Sequence, residues 1–202
     1  PQVLLLDPAA GTATFLYAVV DLIREDFMRQ GNAGMWSGFV RQHLLPRIFG
    51  FELLMAPYAV AHFKLGMQLA GYDLSDAQRE LWAYDFASDE RLRIYLTNTL
   101  EEAECQVETM FGPLRVITEE ANAAAEVKMD MPIMVIVGNP PYSVSSANKS
   151  EYIEHLMERY KEAVRDERNI QPLSDDYIKF IRFAHDRIER TGHGVIAMIT
   201  NH

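Results

Sequence analysis

Five short apolar runs, separated by longer amphipathic stretches, constrain the fold of this chain more than any other feature of it. Val3 to Leu6, Arg47 to Glu52, Leu92 to Thr97, Met134 to Gly138 and Val195 to Ile199 have the length and composition of buried strands. Phe15 to Phe27, Met35 to Leu45 and Pro57 to Leu69 carry apolar residues at helical spacing; Pro46 breaks the second of these and Pro57 suits a helix start. Further on, Ile153, Leu156, Met157, Tyr160 and Val164 mark one helix face, and Tyr177 to Ile188 repeats the pattern. Strands alternating with helices predict an α/β fold, a doubly wound and mainly parallel sheet with helices on both faces and ligands at the carboxyl ends of its strands. The acidic, poorly patterned stretch from Glu101 to Met131 reads as a surface insertion, with a helix near Glu119 to Val127.

A chain of 202 residues, 49 % of them hydrophobic, suits one domain with a genuine core. The single cysteine, Cys105, excludes an internal disulfide and the Cys-rich zinc patterns, and no signal segment opens the chain, so a reducing, cytoplasmic setting is expected. No apolar run approaches the roughly 18 residues of a membrane span. The net charge of −10 argues against this segment being the main grip on nucleic acid, since phosphate binding needs clustered Lys and Arg. Arg159, Lys161, Arg165 and Arg168 are interleaved with acids, and the six histidines show no spacing that suggests a metal site, so none is expected. The start on a strand without Met, and the stop just after another strand, lead to the expectation of an excerpt from a longer protein.

The expected strands each deliver a chemically useful turn. After the first comes Asp7-Pro8-Ala9-Ala10-Gly11-Thr12, where Gly11 and its small neighbours let a ligand approach the backbone near a helix N-terminus. The three-glycine dinucleotide pattern and the phosphate-loop pattern are both absent, which favours a nucleoside or amino-acid moiety over a triphosphate. Glu52 closes the second strand, where a carboxylate can accept hydrogen bonds from both ribose hydroxyls. Asn98 follows the third strand, where its amide can pair with an adenine edge or simply cap a turn.

The fourth strand ends in Asn139-Pro140-Pro141-Tyr142. Two prolines fix φ and remove two backbone donors, so nothing local competes for the Asn139 amide oxygen or for the carbonyls of Asn139 and Pro140. Tyr142 supplies a π-face for a flat heterocycle. Such a pair of acceptors suits a planar, conjugated nitrogen. They can hold its two N–H bonds and bend it toward a tetrahedral shape, which frees a lone pair otherwise delocalised into the ring.

Together these motifs resemble the S-adenosylmethionine-dependent N6-adenine DNA methyltransferases whose cofactor motif precedes the catalytic motif, and in particular the methyltransferase domains of large single-chain restriction-modification enzymes. The Ile199-Thr200-Asn201 ending suits the latter. The resemblance covers most of the chain and implies a Rossmann-like methyltransferase sheet, with residues 1–202 forming the catalytic domain but lacking the final strands and the target-recognition domain. It implies that Asp7 and the backbone around Ala9 and Gly11 hold the methionine part of S-adenosyl-L-methionine, with Glu52 on the ribose and Asn98 facing the adenine. The family usually has Asp at the Asn98 position. Phe180, in Tyr177-Ile178-Lys179-Phe180, would lie against the same adenine, with Pro141 packing nearby, and Asn139, Pro140, Pro141 and Tyr142 would form the catalytic motif. The implied partner is double-stranded DNA with a flipped adenine, gripped mostly by regions outside this segment, with nuclease or helicase domains possible in the same parent chain.

Other acceptors remain open, because Asn-Pro-Pro-Tyr also resembles the motif of enzymes that methylate a glutamine amide of release factors or guanine in ribosomal RNA. The Asp-Pro-Ala-Ala-Gly-Thr opening favours the DNA group, and Asn139 disfavours cytosine N4, where Ser or Thr usually stands. A scaffold domain that binds cofactor without catalysis is the reading from another class, and the segment alone is expected to methylate DNA poorly.

Overall fold

A computed structural model describes residues 2–87, 89–102, 113–143 and 146–200, and of residues 113–117 only the backbone. Five strands, β1 (Leu5–Asp7), β2 (Ile48–Glu52), β3 (Arg93–Leu96), β4 (Val135–Gly138) and β5 (Val195–Met198), form one sheet in the order β3-β2-β1-β4-β5. Every pairing is parallel. The central strand β1 sets Leu5 beside Ile48 on one side and beside Val135 on the other. The chain thus winds outward through β2 and β3 before crossing back to β4, and the loops after β1 and β4 part company over the carboxyl edge of the sheet. An open α/β sheet holds its ligand at such a switch point.

Alternation along each strand divides two cores. Leu4, Leu6, Phe49, Phe51, Tyr95 and Ile136 face α5 (Pro113–Met129), α6 (Glu151–Ala163) and α7 (Asp176–Thr191). Leu5, Ile48 and Ile94 face α1 (Thr14–Arg29), α2 (Trp36–Phe39), α3 (Met55–Leu69) and α4 (Asp76–Trp82). The doubly wound expectation therefore holds, with helices on both faces. Among the described residues no helix is long and apolar enough to cross a membrane, and no group of His, Cys, Asp or Glu could hold a metal ion.

Three departures from the sequence reading have physical causes. The helix expected over Met35 to Leu45 is α2 followed by a wider helical turn over Val40–Leu44. The seven-residue α4 was not expected; it starts on a Ser75–Gln78 capping box and buries only Trp82. The surface insertion is corrected most. Part of it lies outside the described residues, but α5 is a core helix that buries Ala124 and Val127 against the sheet. Its acid Glu120 is buried and paired with Arg91 at 2.8 and 3.1 Å, and it also accepts from the Leu96 backbone at 3.2 Å and from the Tyr58 hydroxyl at 3.2 Å. A carboxylate matched in this way is compatible with burial, so acidic composition misreports where the helix sits.

The far end of α5 is held by α7. Arg187 is buried and its guanidinium donates to the carbonyls of Val127 and Lys128, which the helix itself cannot satisfy, and to that of Met131, which also accepts from Ile133 N at 2.9 Å. Thr191 adds a bond to the Ile133 carbonyl at 2.8 Å, just before β4. Arg187→Ala would strand the Val127 and Lys128 carbonyls, and at ~1–3 kcal/mol for each unsatisfied buried group the loss should be at least about 2 kcal/mol, read as a lower urea midpoint with an unchanged slope.

Candidate functional site

A cleft of about 430 Å³ opens over the carboxyl edge of the sheet. The β1 loop contributes Pro8, Ala9 and Gly11, and the end of β2 contributes Phe51 to Leu54. Thr97 to Thr99 after β3 and Asn139 with Pro141 after β4 form further walls, closed by Asn148 and by Asp176 and Phe180 of α7. Of the residues singled out in the sequence, Ala9, Gly11, Glu52, Asn98, Asn139, Pro141 and Phe180 therefore share one cavity. Asp7 and Pro140 are buried beneath it, and Tyr142 stands at its rim, 44 % exposed.

The β1 loop is shaped by close backbone approach. A Cβ on Gly138 would come within 2.8 Å of Asp7 Oδ1, so only glycine lets the end of β4 lie against β1 there. Gly11 (φ 55°) and Ala13 (φ 58°) both take the left-handed conformation, natural for the glycine and worth ~1 kcal/mol of strain for the alanine. Ala13 is fully buried and leads directly into α1. Nothing in the residue type announces that conformation.

Asp7 accepts from the Ala9 backbone at 3.1 Å through Oδ1, while Oδ2 has no hydrogen-bond partner among the described residues. Burial raises its pKa from 3.8 to about 7; the Ala9 bond opposes that shift and Glu52 adds to it. Glu52 stands at the mouth of the loop. Its two oxygens accept from Gly11 N at 2.8 Å and Leu54 N at 2.8 Å, each keeping a lone pair for a ligand hydroxyl.

Asn98 is more committed than its sequence position suggests. Its Oδ1 accepts from Leu100 N at 3.1 Å, and its Nδ2 donates to Glu101 at 2.9 Å and to Asn148 Oδ1 at 3.1 Å. The turn is gripped from below by Lys128 of α5, which donates to Thr97 Oγ1 at 3.0 Å and to the Asn98 carbonyl at 2.6 Å. Burial lowers the Lys128 pKa to about 8. The other anticipated function of Asn98, as a turn cap, is thus present in the geometry.

The Asn-Pro-Pro-Tyr turn folds over Asn139. Tyr142 Oη lies 3.1 Å from Asn139 Oδ1 and 3.3 Å from the Ile199 carbonyl, so one hydroxyl proton is shared between two acceptors. The Tyr142 ring sits 5.6 Å from that of Tyr177. Behind the turn, Asp175 caps α7 and accepts from Ser143 N at 2.9 Å.

Sequence reasoning missed the residues beyond the motifs. Leu53, Leu54, Thr97 and Thr99 adjoin Glu52 and Asn98, and that adjacency was the available signal. Asp176 lies one helical turn before Phe180, a spacing that puts both on one face of α7. Asn148 had no signal at all.

A parallel sheet with a cleft over its switch point, walled by the Glu52 carboxylate and the Asn-Pro-Pro-Tyr turn, defines a ligand-binding α/β domain. The chain belongs to the Eco57I restriction-modification methylase family, whose pattern matches residues 47–202. No curated protein matches it. Among solved structures it is similar to a DrdV–DNA complex (26 % identity over 98 % of this chain and 17 % of that one, TM-score 0.67). It is also similar to the ATP-dependent Type ISP restriction-modification enzyme LlaBIII bound to DNA (25 %, 99 % and 13 %, TM-score 0.71). A nuclease-deletion mutant of the Type ISP enzyme LlaGI with a DNA substrate mimic shares the fold (22 %, 99 % and 15 %, TM-score 0.72). The chain thus spans less than a fifth of each of these proteins.

The buried Asp7 generates a pH dependence. Because its folded pKa is raised, its contribution to stability is complete below its unfolded value of 3.8 and is lost as pH rises through about 7. Asp7→Asn should remove that dependence. Relative to the parent protein, the variant should gain up to about 4 kcal/mol between pH 4 and pH 8 in urea denaturation, since each pKa unit is worth ~1.4 kcal/mol.

Proposed function

We propose that this restriction-modification methylase transfers a methyl group from S-adenosyl-L-methionine to the N6 amino group of adenine in DNA. The observation that carries the reading is the placement of Asn139 and Pro141 in the same cavity as Gly11, Glu52 and Phe180. The cavity suits the cofactor on its own terms. Its volume is within the range of small-molecule sites, Gly11 leaves the β1 loop open to close approach, and Phe180 and Pro141 offer apolar surface to a purine. Asp7 and the loop over Ala9 and Gly11 would hold the methionine part, Glu52 the ribose hydroxyls, and Phe180 the adenine. Bound there, S-adenosyl-L-methionine supplies an electrophilic methyl group.

The residues of the Asn-Pro-Pro-Tyr turn supply the rest. Asn139 Oδ1 and the Pro140 carbonyl accept the two N–H bonds of the target amine, draw its lone pair out of conjugation and stabilise the positive charge that grows on nitrogen during in-line attack. Before a base arrives, Tyr142 Oη occupies the Asn139 oxygen, so the incoming amine displaces a hydroxyl already bonded there and the ring of Tyr142 is left to stack on the base. The DNA complexes formed by DrdV and LlaBIII support a DNA acceptor over protein or ribosomal RNA. The acidic surface fits a domain that does chemistry within a longer chain, in the reducing cytoplasm, while basic regions elsewhere grip the duplex.

Mass spectrometry of nucleosides from DNA incubated with the full-length protein and S-adenosylmethionine tests the acceptor directly: N6-methyladenine is expected, and N4-methylcytosine or no product refutes the assignment. Asn139→Ala should abolish transfer, by at least about a hundredfold, while cofactor affinity stays within a few fold. Tyr142→Phe keeps the ring and frees Asn139, so its rate should remain within a few fold of the parent; Tyr142→Ala should lose at least about tenfold, because base stacking is worth ~1–3 kcal/mol.

A further inference from the structure

An adenine bound in the cleft presents an exocyclic amine, which needs an acceptor. Asn98 is a poor one. Its Nδ2 already donates to Glu101 and Asn148, and its Oδ1 already holds Leu100 N. Asn148 is equally committed: its Oδ1 takes the Asn98 amide and its Nδ2 donates to Asp176 Oδ1 at 3.0 Å. The two asparagines therefore act as a relay whose far end is a carboxylate.

That carboxylate belongs to Asp176, only 7 % exposed, a lining residue of the cleft on the same face of α7 as Phe180. Its Oδ1 also accepts from Ser146 Oγ at 2.5 Å. Lys179, 2 % exposed, donates to the same Ser146 hydroxyl at 3.0 Å and to the Asn148 carbonyl, and so fixes the segment that orients Asp176. An ionised carboxylate offers about four acceptor sites. The partners on Oδ1 leave acceptor capacity on a group that faces the ligand.

We propose that Asp176, held by Ser146 and Asn148, reads the exocyclic amine of the cofactor's adenine in place of the committed Asn98. The inference rests on the cofactor reading given above. Asp176 is a specificity residue here, and Lys179 and Ser146 are positioning residues. A carboxylate can only accept, so the site favours an amine over the carbonyl that inosine carries at the same ring position.

The test is equilibrium binding of S-adenosylhomocysteine and S-inosylhomocysteine to the full-length protein. The parent should prefer the adenosyl compound by at least about tenfold, as expected for a good hydrogen bond to a charged group. Asp176→Asn, whose amide can donate to the inosine carbonyl, should bring the two affinities within about threefold of each other. The proposal fails if Asp176→Asn weakens both ligands equally, as a purely structural role would. If the parent binds neither compound, the cofactor reading itself falls and this proposal with it. Should Asp176→Asn not fold, a structure of the parent with S-adenosylhomocysteine decides: the adenine amine within about 3.2 Å of an Asp176 oxygen is expected, and a separation beyond about 4 Å overturns the assignment.

Discussion

The first turn of α7 holds the segment that follows β4, and the geometry of the cleft depends on that attachment. Asp175 accepts from Ser143 N, Asp176 from Ser146 and Asn148, and Lys179 donates to Ser146 and to the Asn148 backbone. Without these bonds a stretch rich in small polar residues would have little reason to lie against the sheet. With them, the Asn-Pro-Pro-Tyr turn and the polar wall of the cleft are both referenced to one rigid helix. That helix is itself anchored through Phe183 and Ala184 in the core and through Arg187 at the end of α5. The two prolines limit how the turn can bend, and α7 determines where it sits.

The opposite wall is built differently. Around β1 and β2 the backbone does most of the work. Gly138 lets β4 approach Asp7, Gly11 and Ala13 reverse the chain, and Glu52 bridges two loops through their N–H groups. Several charges are matched in pairs across the fold. Arg24 spans Asp21 and Asp73, Arg91 spans to Glu120, and outer pairs such as Arg159–Glu189 and Lys161–Glu154 consume the basic residues of α6. These outer pairs contribute little to stability, but they leave no cationic stripe on that helix face. Asp7 is a carboxyl buried beside the cleft with one oxygen unmatched among the described residues.

Much of this was legible in the sequence, because strands and their terminal turns are contiguous. Asp7 to Gly11, Glu52, Asn98 and Asn139 to Tyr142 each follow an apolar run, and the doubly wound topology places such turns side by side without further information. Phe180 came from the resemblance of Tyr177-Ile178-Lys179-Phe180 alone, since an aromatic at helical spacing reads first as core. What failed was everything that depends on a partner distant in sequence. Glu120 looks like a surface acid until Arg91 is placed opposite it, and α5 was misjudged with it. Asn98 looks free for a ligand until Leu100, Glu101 and Asn148 are seen to engage it. The capping box of α4, by contrast, is local, written in Ser75 and Gln78 alone.

The order of the strands also sets a schedule for folding. The central strand β1 pairs with β2 some 43 residues later (Leu5 with Ile48) but with β4 only 130 residues later (Leu5 with Val135). At ~5–20 residues per second of synthesis, one edge of β1 therefore waits on the order of ten seconds for its partner to emerge. The face made of α1 to α4 with β1, β2 and β3 can assemble during that interval, since its core draws on no residue beyond Ile94. The cleft cannot. Its Asn139, Asn148, Asp176 and Phe180 walls arrive last, so the chain becomes able to hold its ligand only after the scaffold for the other half is already in place.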